Sequence, residues 1–252
     1  MVTRRQVMAM FGAVLLASRS AFGQAPAGRP EFEVATVKLS SDDSGASSGI
    51  TTKPGGMDAQ NVTVKRCIMG AYAVGPNQVV GGPDWVSSER YEIVAKAEQS
   101  NNDDSALMAM LQTLLADRFK LALHRETRNI SAYVLEVDKK GPKLEKADPG
   151  ESVTDTRSGG RGVTIDVRCT GMDAFAEVLA RSMDLPVVNQ TGLEGIFNFK
   201  LHWTPDNARA ASNADDVSIF TALEEQLGLR LHAAKAPVPV LVIDHVERPS
   251  EN

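Results

Sequence analysis

Four segments of the chain carry apolar residues at intervals of three and four, which places these side chains on one face of a helix. Thr63, Asp103 and Ser218 stand before three of these segments as candidate N-caps. We interpret all four faces as core-facing. In chain order they are Val64, Cys67, Ile68, Ala71 and Tyr72; Leu107, Met110, Leu111, Leu114 and Leu115; Met172, Phe175, Ala176 and Leu179; and Ile219, Ala222, Leu223 and Leu227.

Each predicted helix is followed by runs that are typical of strands. From Phe197 to Trp203, apolar and polar residues alternate, which predicts one buried and one exposed face. The run 238–243 is apolar on both faces, as in the middle of a sheet, although Pro239 favours an edge or a bulge. The predicted strands span 32–37, 91–95, 120–124, 132–137, 197–203, 229–232 and 238–243.

Polar stretches rich in Gly, Ser, Asn, Asp and Pro predict loops at 40–56, 97–104, 139–162 and 204–216. The third of these is the best candidate for a boundary between domains. The predicted organisation is a signal peptide (1–23), a first α+β unit (24–138), a linker (139–164), a second α+β unit (165–246) and a tail (247–252).

The two units show a similar pattern at a constant offset of 108 residues. Val79-Val80 recurs as Val187-Val188, and Leu121-x-Leu123-His124 recurs as Leu229-x-Leu231-His232, with no gap between them. Agreement in both element order and spacing favours an internal duplication. Few residues are identical between the two units, so chance similarity of amphipathic elements stays open as an alternative explanation. The predicted fold is α+β, with two tandem βαββαββ-like units packed into one pseudo-symmetric body.

The first 23 residues have the order of an export signal. Arg4-Arg5 precedes an apolar run from Val7 to Ala17, and Ala21-Phe22-Gly23 fits a signal-peptidase site. The apolar run is too short to span a bilayer, so we expect no membrane span in the mature chain. Thr3 to Met8 also fits a twin-arginine signal, and the Sec and twin-arginine routes both stay open. The predicted location is the periplasm or the extracellular space.

Charge excludes one class of partner. Removal of residues 1–23 takes away three arginines and no acid, so 27 − 3 = 24 basic residues remain against 32 acidic ones, a balance of −8. Nucleic acids and anionic membranes bind clustered positive charge, which this composition does not supply. We therefore expect no nucleic-acid partner.

The chain has two cysteines, Cys67 and Cys169. In an oxidising compartment they could form one disulfide. Cys67 also lies on the apolar face of a predicted helix, where a buried free thiol packs like a small hydrophobic side chain. The sequence leaves both alternatives open.

Few residue clusters match a known chemistry. Gly45-Ala46-Ser47-Ser48-Gly49 has the letters of a nucleophile elbow, but that motif needs a strand before the serine and a helix after it. The four histidines, at 124, 202, 232 and 245, lack the spacing of metal ligands. Paired aspartates at 42–43, 103–104 and 215–216 fit caps and turns. We assign no catalytic, cofactor-binding or metal-binding residue and expect no cofactor.

Short segments spread over nearly all of the predicted mature chain form a specific set. They are FEVATVK (32–38), GGPDW (81–85), LLADRFKL (114–121), HRET (124–127), TGLEG (191–195), KAPV (235–238) and VIDHVE (242–247). This set resembles a large Solibacter-type family of exported proteins of unknown function, with many paralogous copies in acidobacteria and other soil bacteria. Similar proteins often carry an Asp near the Thr-Gly-Leu, where this chain has Asn189-Gln190, and this departure weakens a catalytic role there.

The resemblance implies no established activity. Some relatives join a similar domain to a membrane-bound sensor peptidase, which implies extracytoplasmic sensing. The stretch 222–231 also resembles the docking modules at the periplasmic end of secretins and TonB-dependent receptors, which is an analogy of fold alone.

We therefore expect an exported binding or interaction module for an unknown protein or small-molecule ligand, and binding is favoured over catalysis. Two alternatives stay open. One is an extracytoplasmic hydrolase whose site is assembled from residues far apart in sequence. The other is a surface or assembly protein that pairs through sheet edges.

The order of basic, apolar and small residues predicts that the mature protein begins near Gln24 and is found outside the cytoplasm. N-terminal sequencing of exported material measures this. Recovery only as an intact, membrane-embedded chain that starts at Met1 would contradict the prediction.

Overall fold

The computed structural model describes residues 29–41, 48–99, 103–159, 162–205 and 216–249. The predicted signal peptide and its cleavage position between Gly23 and Gln24 lie outside these residues. The described residues form short helices and three four-stranded sheets, so the predicted α+β class is confirmed. No described helix has both the length and the apolar character needed to cross a membrane.

The first half of the fold ends at residue 137 and the second begins at residue 145. The elements of the first half are β1 (Val34–Leu39), β2 (Gly49–Lys53), β3 (Gly56–Thr63), α1 (Val64–Tyr72), β4 (Val79–Gly81), α2 (Trp85–Ser88), β5 (Arg90–Lys96), α3 (Asp104–Arg118) and β6 (Ala122–Val137). Those of the second half are β7 (Glu145–Lys146), β8 (Val153–Gly159), β9 (Gly162–Thr170), α4 (Met172–Ala180), β10 (Val187–Asn189), β11 (Phe197–Trp203), α5 (Ile219–Ala222) and β12 (Leu229–His245). A 3-10 turn (Pro76–Gln78) precedes β4, and a π-helical turn (Leu223–Leu227) continues α5.

The predicted caps are confirmed, and so are the buried faces of the helices except at Tyr72 and Met110, which are only half-buried. The Thr63 hydroxyl accepts a hydrogen bond from the Arg66 N–H at 3.1 Å, and Asp103 and Ser218 cap α3 and α5 in the same way. Each cap satisfies an N–H that the first helical turn leaves without a partner. α1 ends at Ala73, which adopts the left-handed conformation and returns its N–H to the Gly70 carbonyl.

Two of the sheets are antiparallel, and each belongs to one half of the chain. Their strand orders are β1-β5-β3-β2 and β7-β11-β9-β8. The third sheet, in the order β10-β6-β12-β4, takes strands from both halves. This third sheet therefore joins the two halves.

The two long strands of the third sheet form what we call the central ribbon. β6 and β12 pair antiparallel from Leu229 opposite Val137 to His245 opposite Ala122. β4 pairs parallel with β12, and β10 pairs parallel with β6. Each short strand thus lies against the long strand of the other half.

The observed positions follow the offset of 108 in several places. α1 and α4 match at both ends, and so do β4 and β10. Val79 lies opposite Leu241, and Val187 lies opposite Tyr133, so the two exchanged pairings are also related by 108. Common ancestry of the halves stays a prediction.

Two large hydrophobic cores lie against the central ribbon, and a third, small cluster lies on the ribbon itself. The first contains α1, α3 and the inner faces of β3 and β5, and it includes Leu241 and Ile243 of β12. The second contains α4, α5, β9 and β11, and it includes Leu135 of β6. Because each core takes side chains from a long strand of the other half, neither core is complete within one half.

The long strands were predicted incorrectly. The segments 120–124 and 132–137 belong mostly to the single strand β6, and 229–232 and 238–243 belong to β12. Polar residues such as Arg125 and Arg128 suggested a break, yet they pair with β12 and expose their side chains. Apart from the short helix α2, each half therefore has the order βαββαβ from β3 and β9 onward.

Strands also occur where the sequence predicted loops or a linker. β2 lies within 40–56, and β7, β8 and the start of β9 lie within 139–164. β2, β7 and β8 are edge strands with mostly partly or fully exposed side chains. Such strands lack the alternation of apolar and polar residues that reveals a half-buried strand.

Because the cores share strands, Leu135→Ala in the first half should destabilise the whole fold. Leu135 is fully buried in the second core, so we expect a loss of about 2–5 kcal/mol in the free energy of unfolding. Val94→Ala, at a side chain that is 54% exposed, should change it by less than about 0.5 kcal/mol. Denaturant unfolding followed by circular dichroism measures both. Two separate transitions, one for each half, would contradict this account.

Candidate functional site

A cleft of about 840 Å³ opens between the two halves. Its first wall is formed by residues from 69 to 78 and its second wall by residues from 173 to 189, while Pro237, Val238 and Pro239 of the central ribbon form its floor. When 108 is added to the residue numbers of the first wall, the resulting numbers fall within the second wall. We call this cavity the interhalf cleft. Its volume is in the range of small-molecule binding sites.

The first wall is apolar. Met69, Tyr72 and Val74 are half-buried there, at the C-terminal end of α1 and just beyond it. Burial raises the pKa of Tyr72, while Arg125 and Arg29 act on the pKa in the opposite direction. The phenol therefore stays neutral and can both donate and accept a hydrogen bond.

The second wall is charged. Asp173 and Glu177 on α4, Arg181 at its C-cap and Asp184 after it are all exposed to solvent in the cleft lining. Among the described residues, none of these four side chains forms a salt bridge. Their charges are therefore available to a ligand.

Hydrogen bonds hold the two walls together and tie one of them to the floor. The Asn77 side-chain amide donates to the Asp184 carbonyl at 3.3 Å, which joins the walls. The Gln78 amide donates to the Pro239 carbonyl at 3.0 Å, and its oxygen accepts from the Gly75 N–H at 3.0 Å. These contacts fix the distance between the loops, so the cleft is largely preformed.

Asn189 lies at the end of β10 and positions an acid of the second wall. Its amide nitrogen donates to the Asp173 carboxylate at 2.7 Å, while its oxygen accepts from the Thr191 N–H and hydroxyl at 3.0 and 2.8 Å. An aspartate at 189 would place a second negative charge against Asp173. The asparagine instead donates a hydrogen bond to that carboxylate.

A second pocket of about 330 Å³ lies on the other side of α1. Ile50, Met69, Val74 and Met108 provide most of its apolar lining, with Arg66 and Asp104 also present. Met69, Gly70 and Val74 line both cavities. The end of α1 therefore separates a small pocket in the first half from the interhalf cleft.

Two of the histidines have carboxylate neighbours at offset-related positions. Nδ1 of His124 lies 2.7 Å from Asp244, and Nδ1 of His232 lies 3.9 Å from Glu136. The hydrogen bond to Asp244 is the main cause that raises the pKa of His124. Protonated His124 thus favours the folded state, and this contribution is lost as the pH rises through the raised pKa. Neither histidine lines the cleft.

No group of three or more His, Cys, Asp or Glu side chains in the described ranges has an arrangement that could hold a metal ion. The Asp103-Asp104 pair begins α3, with Asp103 as the N-cap. Of the nucleophile-elbow letters, 45–47 lie outside the described residues, as do Asp42-Asp43 and Asp215. Gly49 begins a strand and no helix follows it, which does not fit that motif.

The two cysteines belong to different parts of the molecule, and both are free thiols in the structure. Cys67 is buried in the first core, where burial raises the pKa of its thiol to about 12. Cys169 is partly exposed at a left-handed position of β9, with its Sγ 3.5 Å from the Asp148 carbonyl. This packing favours the free-thiol alternative for Cys67.

The cleft itself was not predicted from the sequence. Its lining residues lie in turns and helix ends that carry no motif, and its walls are about a hundred residues apart. The offset of 108 residues could have indicated the cleft, because it relates residues of one wall to residues of the other.

Fold and site together define an α+β protein with a ligand-sized cleft between two similar halves. A family model described as "Protein of unknown function (DUF3738)" matches residues 65–246, which is more than half of the chain. The chain therefore belongs to this family, and the predicted resemblance is confirmed to that extent. No curated protein and no solved structure matches the chain.

Because the thiolate is the reactive form, iodoacetamide should label Cys169 and leave Cys67 unmodified in the native protein at neutral pH. Both should be labelled after unfolding without reductant. Mass spectrometry of peptides measures this. If neither cysteine is labelled after unfolding until reductant is added, the disulfide alternative is correct.

Proposed function

We propose that this protein is an exported binding module that holds its ligand in the interhalf cleft. The observation that carries the proposal is a cleft of about 840 Å³ with walls from both halves and a floor from the central ribbon. Export and an extracytoplasmic role in sensing or docking are parts of this proposal. They rest on the first 23 residues and on the family resemblance.

The lining has the composition of a binding site. Half-buried apolar groups such as Met69, Val74 and Met183 supply contact area, and a few polar groups at the rim supply orientation. The hydrogen bonds of Asn77 and Gln78 hold the loops before a ligand arrives. A preformed site loses less conformational entropy on binding.

We also propose that the two halves arose by duplication and that the cleft formed where their equivalent loops meet. Asn61 and Cys169 differ by 108 and have φ angles of 51° and 49°. Lys120 and Gly228 are likewise related, with φ angles of 51° and 63°. Left-handed backbone at non-glycine positions is uncommon, so its recurrence at the same offset supports common ancestry. We further propose, from the family resemblance, that soil bacteria carry many paralogous copies of this protein.

The cleft predicts where a ligand from a small-molecule screen will bind. A compound at about one hundred times its Kd should stabilise the protein by about 2.7 kcal/mol, which a thermal-shift assay detects. Ala180→Phe fills the cleft from α4 and should abolish the shift. Ala174→Phe is the matched control, because Ala174 is exposed on the same helix and does not line the cleft.

Ligands that bind both variants equally would contradict the proposed site. If a broad screen yields no ligand, assembly through sheet edges becomes the better explanation. β1 is an edge strand with exposed Val34 and Leu39 and would offer such a surface.

A further inference from the structure

We infer that the interhalf cleft selects a small organic cation with an apolar body. This inference rests on the proposed function and adds the chemical class of the ligand. It follows from the difference between the two walls, from the helix ends that meet at the cleft and from the size of the cavity.

The charges of the lining favour a cation. Asp173, Glu177 and Asp184 contribute three carboxylates, and Arg181 contributes one guanidinium, so the cleft carries two net negative charges. Asn189 holds one of these carboxylates in place by donating to Asp173. An ammonium group would find three acceptors along one wall.

The backbone adds to this potential. α1 and α4 both end at the cleft, and neither has a basic residue in its last turn. The C-terminal end of a helix carries partial negative charge, which stabilises a cation that lies near the last turn. Arg181, the C-cap of α4, offsets part of this effect, whereas the C-cap of α1 is Ala73.

The opposite wall favours an apolar body. Met69 and Glu177 are offset-related, so the position that carries a carboxylate on α4 carries a thioether on α1. Tyr72 and Val74 extend this apolar surface. All the carboxylates of the lining belong to the second wall, so the ammonium should lie at the α4 wall and the apolar body at the α1 wall.

The dimensions favour a small molecule over a protein partner. A volume of about 840 Å³ suits a compact ligand, and the hydrogen bonds of Asn77 and Gln78 limit how far the walls can separate. The occupant that fits is an amine with an aromatic or branched alkyl group.

The test uses three probes with the same apolar body: 4-phenylbutylamine, 4-phenylbutanol and 4-phenylbutyrate. Titration calorimetry with the full mature protein at low salt should show that the amine binds at least about fivefold more tightly than the carboxylate, with the alcohol between them. The preference should shrink at about 0.5 M salt, because exposed charges are then screened.

Variants assign the preference to named residues. Glu177→Gln with Asp184→Asn should weaken amine binding about fivefold and leave binding of the alcohol unchanged. Arg181→Gln should strengthen amine binding, a change of opposite sign that loss of structure would not produce. Glu224→Gln with Glu225→Gln is the control, because it removes the same two charges from an exposed turn outside the cleft.

The outcomes separate this inference from the proposed function. If all three probes bind with equal affinity and Ala180→Phe abolishes their binding, the cleft is a binding site and the cation class is wrong. If no probe binds, the inference is wrong, and the screen with Ala180→Phe still decides the proposed function. Much tighter binding of acetyl-Phe-Lys-amide than of the amine would assign the cleft to a polypeptide and overturn the small-molecule assignment.

Discussion

The antiparallel pairing of β6 with β12 is the constraint on which the rest of the structure depends. Its register places Leu135 in the second core and Leu241 in the first. Side chains alternate between the faces of a strand, so a slip by one residue would turn both leucines away from their cores. The same register determines where β4 and β10 can add to the sheet. Registration of one strand pair therefore fixes both cores and the relation between the halves.

The cleft follows from what this pairing leaves uncovered. β4 pairs with β12 only at 241–243, and β10 pairs with β6 only at 133–135. In the part of the chain that the structure describes, the middle of the central ribbon therefore has no third strand on either side. Asn129 lies opposite Pro237 at this point. A proline has no N–H to satisfy, so an unpaired strand edge costs less there. The loops before β4 and β10 meet above this region and enclose the cavity.

The sequence predicts the parts of the fold that have one buried face. The strand Phe197–Trp203 was predicted where the structure has it, because burial of one face imposes a period on the apolar residues. The caps at Thr63 and Ser218 were predicted because a hydroxyl residue precedes each helical period. The edge strands β2 and β8 were missed, since mostly exposed strands have no such period. The continuity of β6 was missed for the same reason around Arg125–Asn129. The cleft was missed because its composition resembles that of ordinary loops.

Two similar halves give a scaffold in which the exposed side chains of the second wall can change without loss of the fold. The residues that shape the cores are apolar in both halves at matching positions, as with Ile68 and Ala176 or Ala71 and Leu179 on neighbouring turns of α1 and α4. The cleft positions differ instead, as with Met69 and Glu177. Glu177 is exposed and carries little of the folding free energy, so its chemistry is free to diverge, whereas Met69 also packs against the first core. The residues that differ between the two walls are therefore the ones that would determine which ligand the cleft binds.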